Sequence, residues 1–219
     1  MIKVAVVDDQ VLVRSGFVVL LNSAPDIEVV GEAGDGQEAW DLCRRTTPDV
    51  MLMDVRMPRM DGLEATRRLM ADPECSSTRV LILTTFDEDE LVHDALKAGA
   101  SGFLLKDTRP TQLLEAVHVV AAGDALLAPR ITRRLIEQFA SLPRPTSAPA
   151  DDGLTDRERE VLVAVSQGLS NQEVADRLHM GYGTVKTHVS HLLTKLDCRD
   201  RAQLVMHAYE SGLTVPGRG

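Results

Sequence analysis

Short, uninterrupted apolar runs that stop abruptly at a polar side chain set the strongest limit on how this chain can fold. The sharpest case is Pro48–Gly62, PDVMLMDVRMPRMDG. Val50-Met51-Leu52-Met53 ends in Asp54, Pro58 blocks a longer strand, and Asp61-Gly62 reads as a turn. Such a run fits a parallel strand buried on both faces. Its carboxyl end then lies at the edge where open α/β sheets place their chemistry. A lone Asp in that position reads as a simple strand-end cap, so any larger role must come from the rest of the chain.

Four more runs supply it. Ile2–Val7 ends in Asp8-Asp9, Ile27–Val30 follows, Val80–Leu83 runs into Thr84-Thr85, and Gly102–Leu105 stops at Lys106. Between and after them lie helical patterns. These are Val11–Leu21, a helix opened by the capping-box pattern Asp35–Glu38 and running through about Arg45, Leu63–Met70, Asp89–Ala98 and Thr111–Ala122. Pro110 falls in the first turn of the last one. Five strands alternating with five helices within about 122 residues predict a five-stranded parallel, doubly wound α/β sheet with right-handed crossovers. All strand ends then share one edge, which gathers Asp8, Asp9, Asp54, Thr84 and Lys106.

The chain changes character after residue 122. Arg130–Ala140 reads as an exposed helix, and LPRPTSAPADDG, with Pro143, Pro145 and Pro149, reads as a linker. Two capping boxes, Thr155–Glu158 and Ser170–Glu173, then open helices. Leu178–Gly181 is a tight turn before a helix from about Gly183 to Leu196, and Asp200–Tyr209 is the last helix. The expected division is 1–122, a linker over 123–150 with a helix near 130–140, and a small all-α domain over 151–219.

Charge follows the same division. The net −9 splits into −10 for residues 1–128, +3 for 129–150 and −2 for 151–219, with a local +3 between Arg177 and Arg201. An acidic front and a locally basic segment near the end suit different partners. Cys43, Cys75 and Cys198 lack disulfide or metal-ligand spacing, which fits a reducing cytosol. No apolar stretch approaches the ~20 residues of a membrane span and no signal peptide is visible, so a cytoplasmic location is expected. His93 and His118, on helices away from the sheet edge, read as surface or packing residues.

Acids crowded at strand ends raise each other's pKa, and a hard divalent cation held by oxygens relieves this, Mg2+ being the expected one. With a lysine and a hydroxyl nearby, the set suits a phosphoryl group on Asp54. The residues Asp8-Asp9, Asp54 in DVRMP, Thr84 and Phe103-Leu-Leu-Lys106 resemble the flavodoxin-like receiver domain of two-component response regulators. The intervals of 30 residues from Asp54 to Thr84 and 22 from Thr84 to Lys106 match that family. The resemblance implies phosphorylation of Asp54 by a partner histidine kinase. It also implies Mg2+ binding by Asp9, Asp54 and the backbone carbonyl of Arg56, with Asp8 assisting through water or a more distant contact. Thr84 and Lys106 would hold the phosphoryl oxygens, and Phe103 would be the switch aromatic.

Two helices joined by a tight turn, the second basic, form a helix-turn-helix pattern. Val185, Val189, Leu192 and Leu193 supply its inner stripe, and Thr184, Lys186, Thr187, Ser190, His191 and Lys195 face outward toward phosphates and base edges. The stretch LTDREREVLVAVSQGLSNQEVADRL…GTVKTHVSHLLTKL resembles the DNA-binding domain of LuxR-type regulators. With a receiver before it, the chain is similar to NarL/FixJ-type response regulators. That implies a transcription factor, not an enzyme, which binds double-stranded promoter DNA as a homodimer when phosphorylated. The last helix has Ala202, Val205, Met206 and Tyr209 at helical spacing, and the resemblance implies that this helix is the dimer face of its domain. Met180-Gly-Tyr-Gly183 departs from the family at the start of the recognition helix. Two readings from other classes stand beside this one: a Mg2+-dependent phosphotransferase acting on a small molecule, and a signalling adaptor whose C-terminal helices bind protein.

Overall fold

The computed structural model describes residues 1–85, 94–123, 126–127 and 153–214. These residues form two compact units that divide between Leu126 and Leu127, and each is described by itself. The helix expected over Arg130–Ala140 and most of the linker lie outside the described residues. So do His93 and the beginning of the helix expected from Asp89.

In the first unit β1 (Ile2–Val7), β2 (Ile27–Ala33), β3 (Val50–Asp54), β4 (Arg79–Thr84) and β5 (Gly102–Leu105) alternate with α1 (Val11–Asn22), α2 (Gly36–Thr46), α3 (Gly62–Ala71), a helical segment described over residues 94–97, and α4 (Pro110–Ala121). The sheet order is β2-β1-β3-β4-β5-β6, and the four pairings among β1–β5 are parallel. The sixth strand, β6 (Leu126–Leu127), adds to the five expected; two residues are too few to show a period.

Alternation along the strands divides the core. Val4, Val6, Val50, Leu52, Leu81 and Leu83 cluster with Leu21 of α1 and with Leu113, Val117 and Val120 of α4. The intervening Ala5, Met51, Met53, Ile82 and Phe103 are also buried, as are Ala39, Leu42, Ala65 and Leu69 of α2 and α3. All five residues of β3 are buried, as its continuous apolar run required.

β2 runs three residues past the expected Val30. Its register against β1 shifts between Val4 and Ala5, after which Gly31-Glu32-Ala33 pair with Ala5-Val6-Val7. Edge position permits this polar ending: Glu32 turns outward to Arg14 at 3.0 Å, and Gly31 leaves room for Leu42. α2 opens on Asp35, whose Oδ1 accepts from the Glu38 amide at 2.9 Å. The return half of the expected capping box is displaced by one residue, because Glu38 Oε2 accepts from the Gly34 amide instead. Trp40 lies between Arg44 and Arg68, their guanidinium carbons 5.2 and 4.1 Å from its ring centroid, and its Nε1 donates to Asp72.

The second unit has four helices: α5 (Asp156–Ser166), α6 (Asn171–Leu178), α7 (Tyr182–Lys195) and α8 (Arg201–Glu210). α5 packs against the other three. Both expected capping boxes are complete, Thr155 with Glu158 and Ser170 with Glu173. α6 ends at His179, whose left-handed conformation (φ 52°) turns the chain toward α7. α7 begins at Tyr182, one residue before the expected start. Its N-cap is Gly181, which offers no side-chain hydrogen bond.

The stripe Ala202, Val205, Met206 and Tyr209 of α8 faces inward. All four are buried within this unit. Tyr209 Oη donates to the Ser166 carbonyl at 3.2 Å, and the chain after α8 folds back so that the Thr214 and Ser166 hydroxyls meet at 2.7 Å. The helical spacing was that of a core stripe. Among the described residues no helix is long and apolar enough to cross a membrane.

Gly62 marks a close approach that the fold depends on. Its amide donates to the Val55 carbonyl at 2.9 Å, and a Cβ there would stand 1.9 Å from the Asp54 carbonyl oxygen. Gly62→Ala is therefore expected to cost at least the ~1–3 kcal/mol typical of overpacking. Gly16→Ala, in open space within α1, should gain roughly 0.5–1 kcal/mol. Urea unfolding of the two variants checks both signs.

Candidate functional site

β1, β3, β4 and β5 are neighbours, so their carboxyl ends form one continuous edge. Asp8 follows β1, Asp54 ends β3, Thr84 ends β4 and Lys106 follows β5. Asp8, Asp54 and Thr84 are buried, while Asp9 is exposed. Lys106 reaches across the edge, its Nζ 2.6 Å from Asp8 Oδ2 and 3.0 Å from Asp54 Oδ2. Its backbone amide donates to the Thr84 carbonyl at 2.8 Å, joining the ends of β4 and β5.

The remaining carboxylate oxygens are held by backbone. Asp54 Oδ1 accepts from the Val55 amide at 2.8 Å and Asp8 Oδ1 from the Gln10 amide at 2.9 Å. Arg14 Nη1 donates to the Asp8 carbonyl at 2.6 Å, fixing the turn after β1. The sequence reading missed Arg14; its signal is a base one turn into the helix that follows the acid pair. Phe103 is buried in β5, paired in register with Ile82, and Arg56 is exposed on the loop after β3.

Burial raises the Asp54 carboxyl above its ordinary value; the Lys106 ammonium and the Val55 amide oppose the shift, while the nearby Asp8 adds to it. Burial pulls the Lys106 ammonium down, but Asp8 and Asp54 outweigh that and leave it raised. One ammonium thus faces two buried carboxylates, with a third at the rim. One oxygen from each of Asp8, Asp9 and Asp54 lies within 4.8 Å of the others. Oxygen ligands of an octahedral Mg2+ lie at most about 4.2 Å apart, so this all-oxygen donor set has the chemistry and nearly the spacing for such an ion.

The second unit carries the other expected interface. Val185, Val189 and Leu192 of α7 are buried and Leu193 half-buried, which turns Thr184, Lys186, Thr187, Ser190, His191 and Lys195 to the exposed side. Tyr182 is also exposed, at the first turn. Lys195 has a second attachment that spacing did not reveal. Its Nζ lies 2.8 Å from Glu158 Oε2, the buried member of the α5 capping box. That contact, then the Thr155 amide, holds the Glu158 carboxyl down to about 2.

His118 is a surface residue, as expected. Its Nε2 meets Asp26 Oδ2 at 2.6 Å and its Nδ1 meets the Leu114 carbonyl at 2.7 Å, and its pKa is raised chiefly by the Asp26 contact.

A model of the response regulator receiver domain matches residues 4–118, and one of the LuxR family of bacterial regulatory proteins matches residues 152–208. The chain is 41% identical over 213 residues to the uncharacterized transcriptional regulatory protein YxjL of Bacillus subtilis, covering 97% of each. It is 39% identical over 212 residues to the response regulator protein VraR of Staphylococcus aureus, covering 97% of this chain and 98% of that one. Among solved structures it is similar to the response regulator ChrA of a heme-sensing two-component system. That match has 36% identity and a TM-score of 0.53, and covers 97% and 98% of the two chains.

Two outcomes follow from the charges. An ionised Asp54 costs folding stability, because its folded pKa is raised from 3.8. Stability should therefore fall as pH rises from that value through the folded one, and at neutral pH Asp54→Asn should raise the metal-free melting midpoint by a few degrees. Glu158 is the opposite case: its contribution is present above 4.5 and lost as pH falls toward about 2. Lys195→Met should lower the midpoint of the second unit and flatten that acid limb. Thermal melts across pH measure both.

Proposed function

Because the chain belongs to the two-component response regulators that carry a LuxR-type DNA-binding domain, we propose that Asp54 is its phosphoacceptor and that phosphorylation there controls DNA binding through α7. Residues 1–122 act as the receiver, 123–150 as the linker and 151–219 as the DNA-binding domain. The observation that carries this reading is the convergence of Asp8, Asp54, Thr84 and Lys106 from four neighbouring strand ends on one buried edge.

Asp9, Asp54 and the Arg56 carbonyl would hold Mg2+, with Asp8 assisting through water or a more distant contact; Lys106 stands against one oxygen of Asp8 and one of Asp54. The ion supplies charge neutralisation for the incoming phosphoryl oxygens. An Asp54 carboxylate oxygen attacks the phosphorus of a phosphohistidine on the partner kinase; the new O–P bond forms as the N–P bond breaks and the imidazole leaves. Lys106 exchanges its contact with Asp54 for one with a phosphoryl oxygen, and the Thr84 hydroxyl donates to another. Thr84 is the last paired residue of β4, opposite Leu105 and two residues beyond the Ile82–Phe103 pair, so a shift of Thr84 would be felt by the strand that carries the switch residue Phe103.

On the DNA side, Lys186 and Thr187 would face base edges or the groove, Thr184, Ser190 and Lys195 would lie near the backbone, and His191 is on the same exposed side. Lys195 contributes there only as far as its tie to Glu158 permits. A small domain with so few bases gains affinity by occupying two half-sites as a homodimer. With Ala202, Val205, Met206 and Tyr209 buried, α8 could offer such a contact only through its outer side, where Gln203, His207 and Glu210 lie.

Acetyl phosphate with Mg2+ is expected to label the wild-type chain once per molecule and to leave Asp54→Asn unlabelled, as intact-mass spectrometry would show. Labelled protein should bind promoter fragments more tightly, and Lys186→Ala should lower the salt dependence of that binding by about one unit in log–log slope. Undiminished labelling of Asp54→Asn would overturn the acceptor assignment.

A further inference from the structure

The loop between Asp54 and α3 is fastened at both ends, and its outer fastening is a single arginine. At the inner end the Val55 amide donates to Asp54 Oδ1, and the Gly62 amide to the Val55 carbonyl. At the outer end Arg59 takes up a left-handed backbone conformation, φ 64°, uncommon for a side chain without a local reason. The reason is visible in its contacts. Its Nη2 forms ion pairs with Asp35 Oδ2 and, at 3.0 Å, with Glu38 Oε1.

Asp35 is wholly buried. One of its oxygens caps α2, and the other accepts no hydrogen bond of regular geometry, so the Arg59 guanidinium is what faces that buried charge. The Gly36 amide donates to the Met60 carbonyl at 3.1 Å beside this pair. A Cβ on Gly36 would strike Met60 and Ala65. The turn before α2 and the loop after β3 are thus pressed together with no room between them. Removing Arg59 leaves a buried carboxylate without its counter-charge, a change that structures relieve by moving the group or the chain around it. The chain that carries Arg59 is residues 55–61, which include Arg56.

We propose that Arg59 is a positioning residue for the phosphoacceptor site: by bridging Asp35 and Glu38 it holds residues 55–61, the loop that leaves Asp54 and includes Arg56, and thereby sets Mg2+ affinity and the lifetime of the phosphoryl group on Asp54. This rests on the acceptor reading given above. Arg59 touches neither ion nor phosphoryl group; it acts through the loop.

The experiment uses the full-length chain. Mg2+ alone is titrated by calorimetry, and after acetyl phosphate labelling the decay of the Asp54 adduct is followed by intact mass. Loss of a group that orients a metal ligand commonly weakens binding 10–100-fold, and Arg59→Ala is expected to weaken Mg2+ binding about tenfold and to change the adduct lifetime several-fold. Arg59→Lys, which keeps the charge, should recover part of both. Arg67→Ala, which removes an exposed pair with Glu64, should change neither. If Arg59→Ala does not fold, Glu38→Gln carries the same test, with a smaller loss in the same direction.

Unchanged Mg2+ affinity and adduct lifetime in a folded Arg59 variant would overturn the proposal while leaving Asp54 as acceptor. An equal loss in Arg67→Ala would also overturn it, since the effect would then be one of surface charge. A wild-type chain that takes neither Mg2+ nor label would overturn the acceptor reading itself, and this inference with it.

Discussion

One ammonium stands between two buried carboxylates at the end of the sheet, and the first unit is built so that this can persist. Burying like charges together is unfavourable, and Lys106 offsets only part of the cost, as the raised Asp54 carboxyl indicates. The remainder is borne by rigidity. β3 is buried along its whole length, β1 and β4 flank it in parallel register, and backbone amides hold the carboxylate oxygens that Lys106 does not reach. A site left short of positive charge is one that a divalent cation or a change in the acid's own charge can alter strongly.

Legibility in the sequence followed from period and length. Strands β1, β3, β4 and β5 were visible because each is a continuous apolar run, and their polar ends located the site almost residue by residue. β2 was cut short because an edge strand tolerates Gly31 and Glu32, which read as a break. β6 was invisible at two residues. Contacts between residues distant in the chain were the other gap: Lys195 with Glu158, Arg59 with Asp35 and His118 with Asp26 join positions that no local pattern relates. The α8 stripe shows the opposite error. Ala202, Val205, Met206 and Tyr209 have the spacing of any buried helix face, and a resemblance that names only the helix does not tell its packed side from its outer one.

In the second unit, caps carry more of the organisation than charge does. α5, α6 and α8 each open on a side chain that accepts from a backbone amide, and α5 and α6 have the reciprocal bond as well. α7 alone of the four opens without such a cap, on Gly181. Its first turn is correspondingly less tied down than its last, where Lys195 is anchored to the α5 cap. The helix proposed to face DNA thus has a side-chain anchor at its carboxyl end and no side-chain cap at its amino end.

The aromatic residues have a consequence of a different kind. The sole tryptophan, Trp40, lies in the first unit between two guanidinium groups, and both tyrosines, Tyr182 and Tyr209, lie in the second. Each half of the molecule thus carries its own chromophore. Excitation at the red edge of the absorption band, where tyrosine is dark, follows the first unit in the intact chain. The tyrosine signal reports on the second, with one ring at the protein surface and the other in its core. Each unit can thus be followed by spectroscopy with no label added.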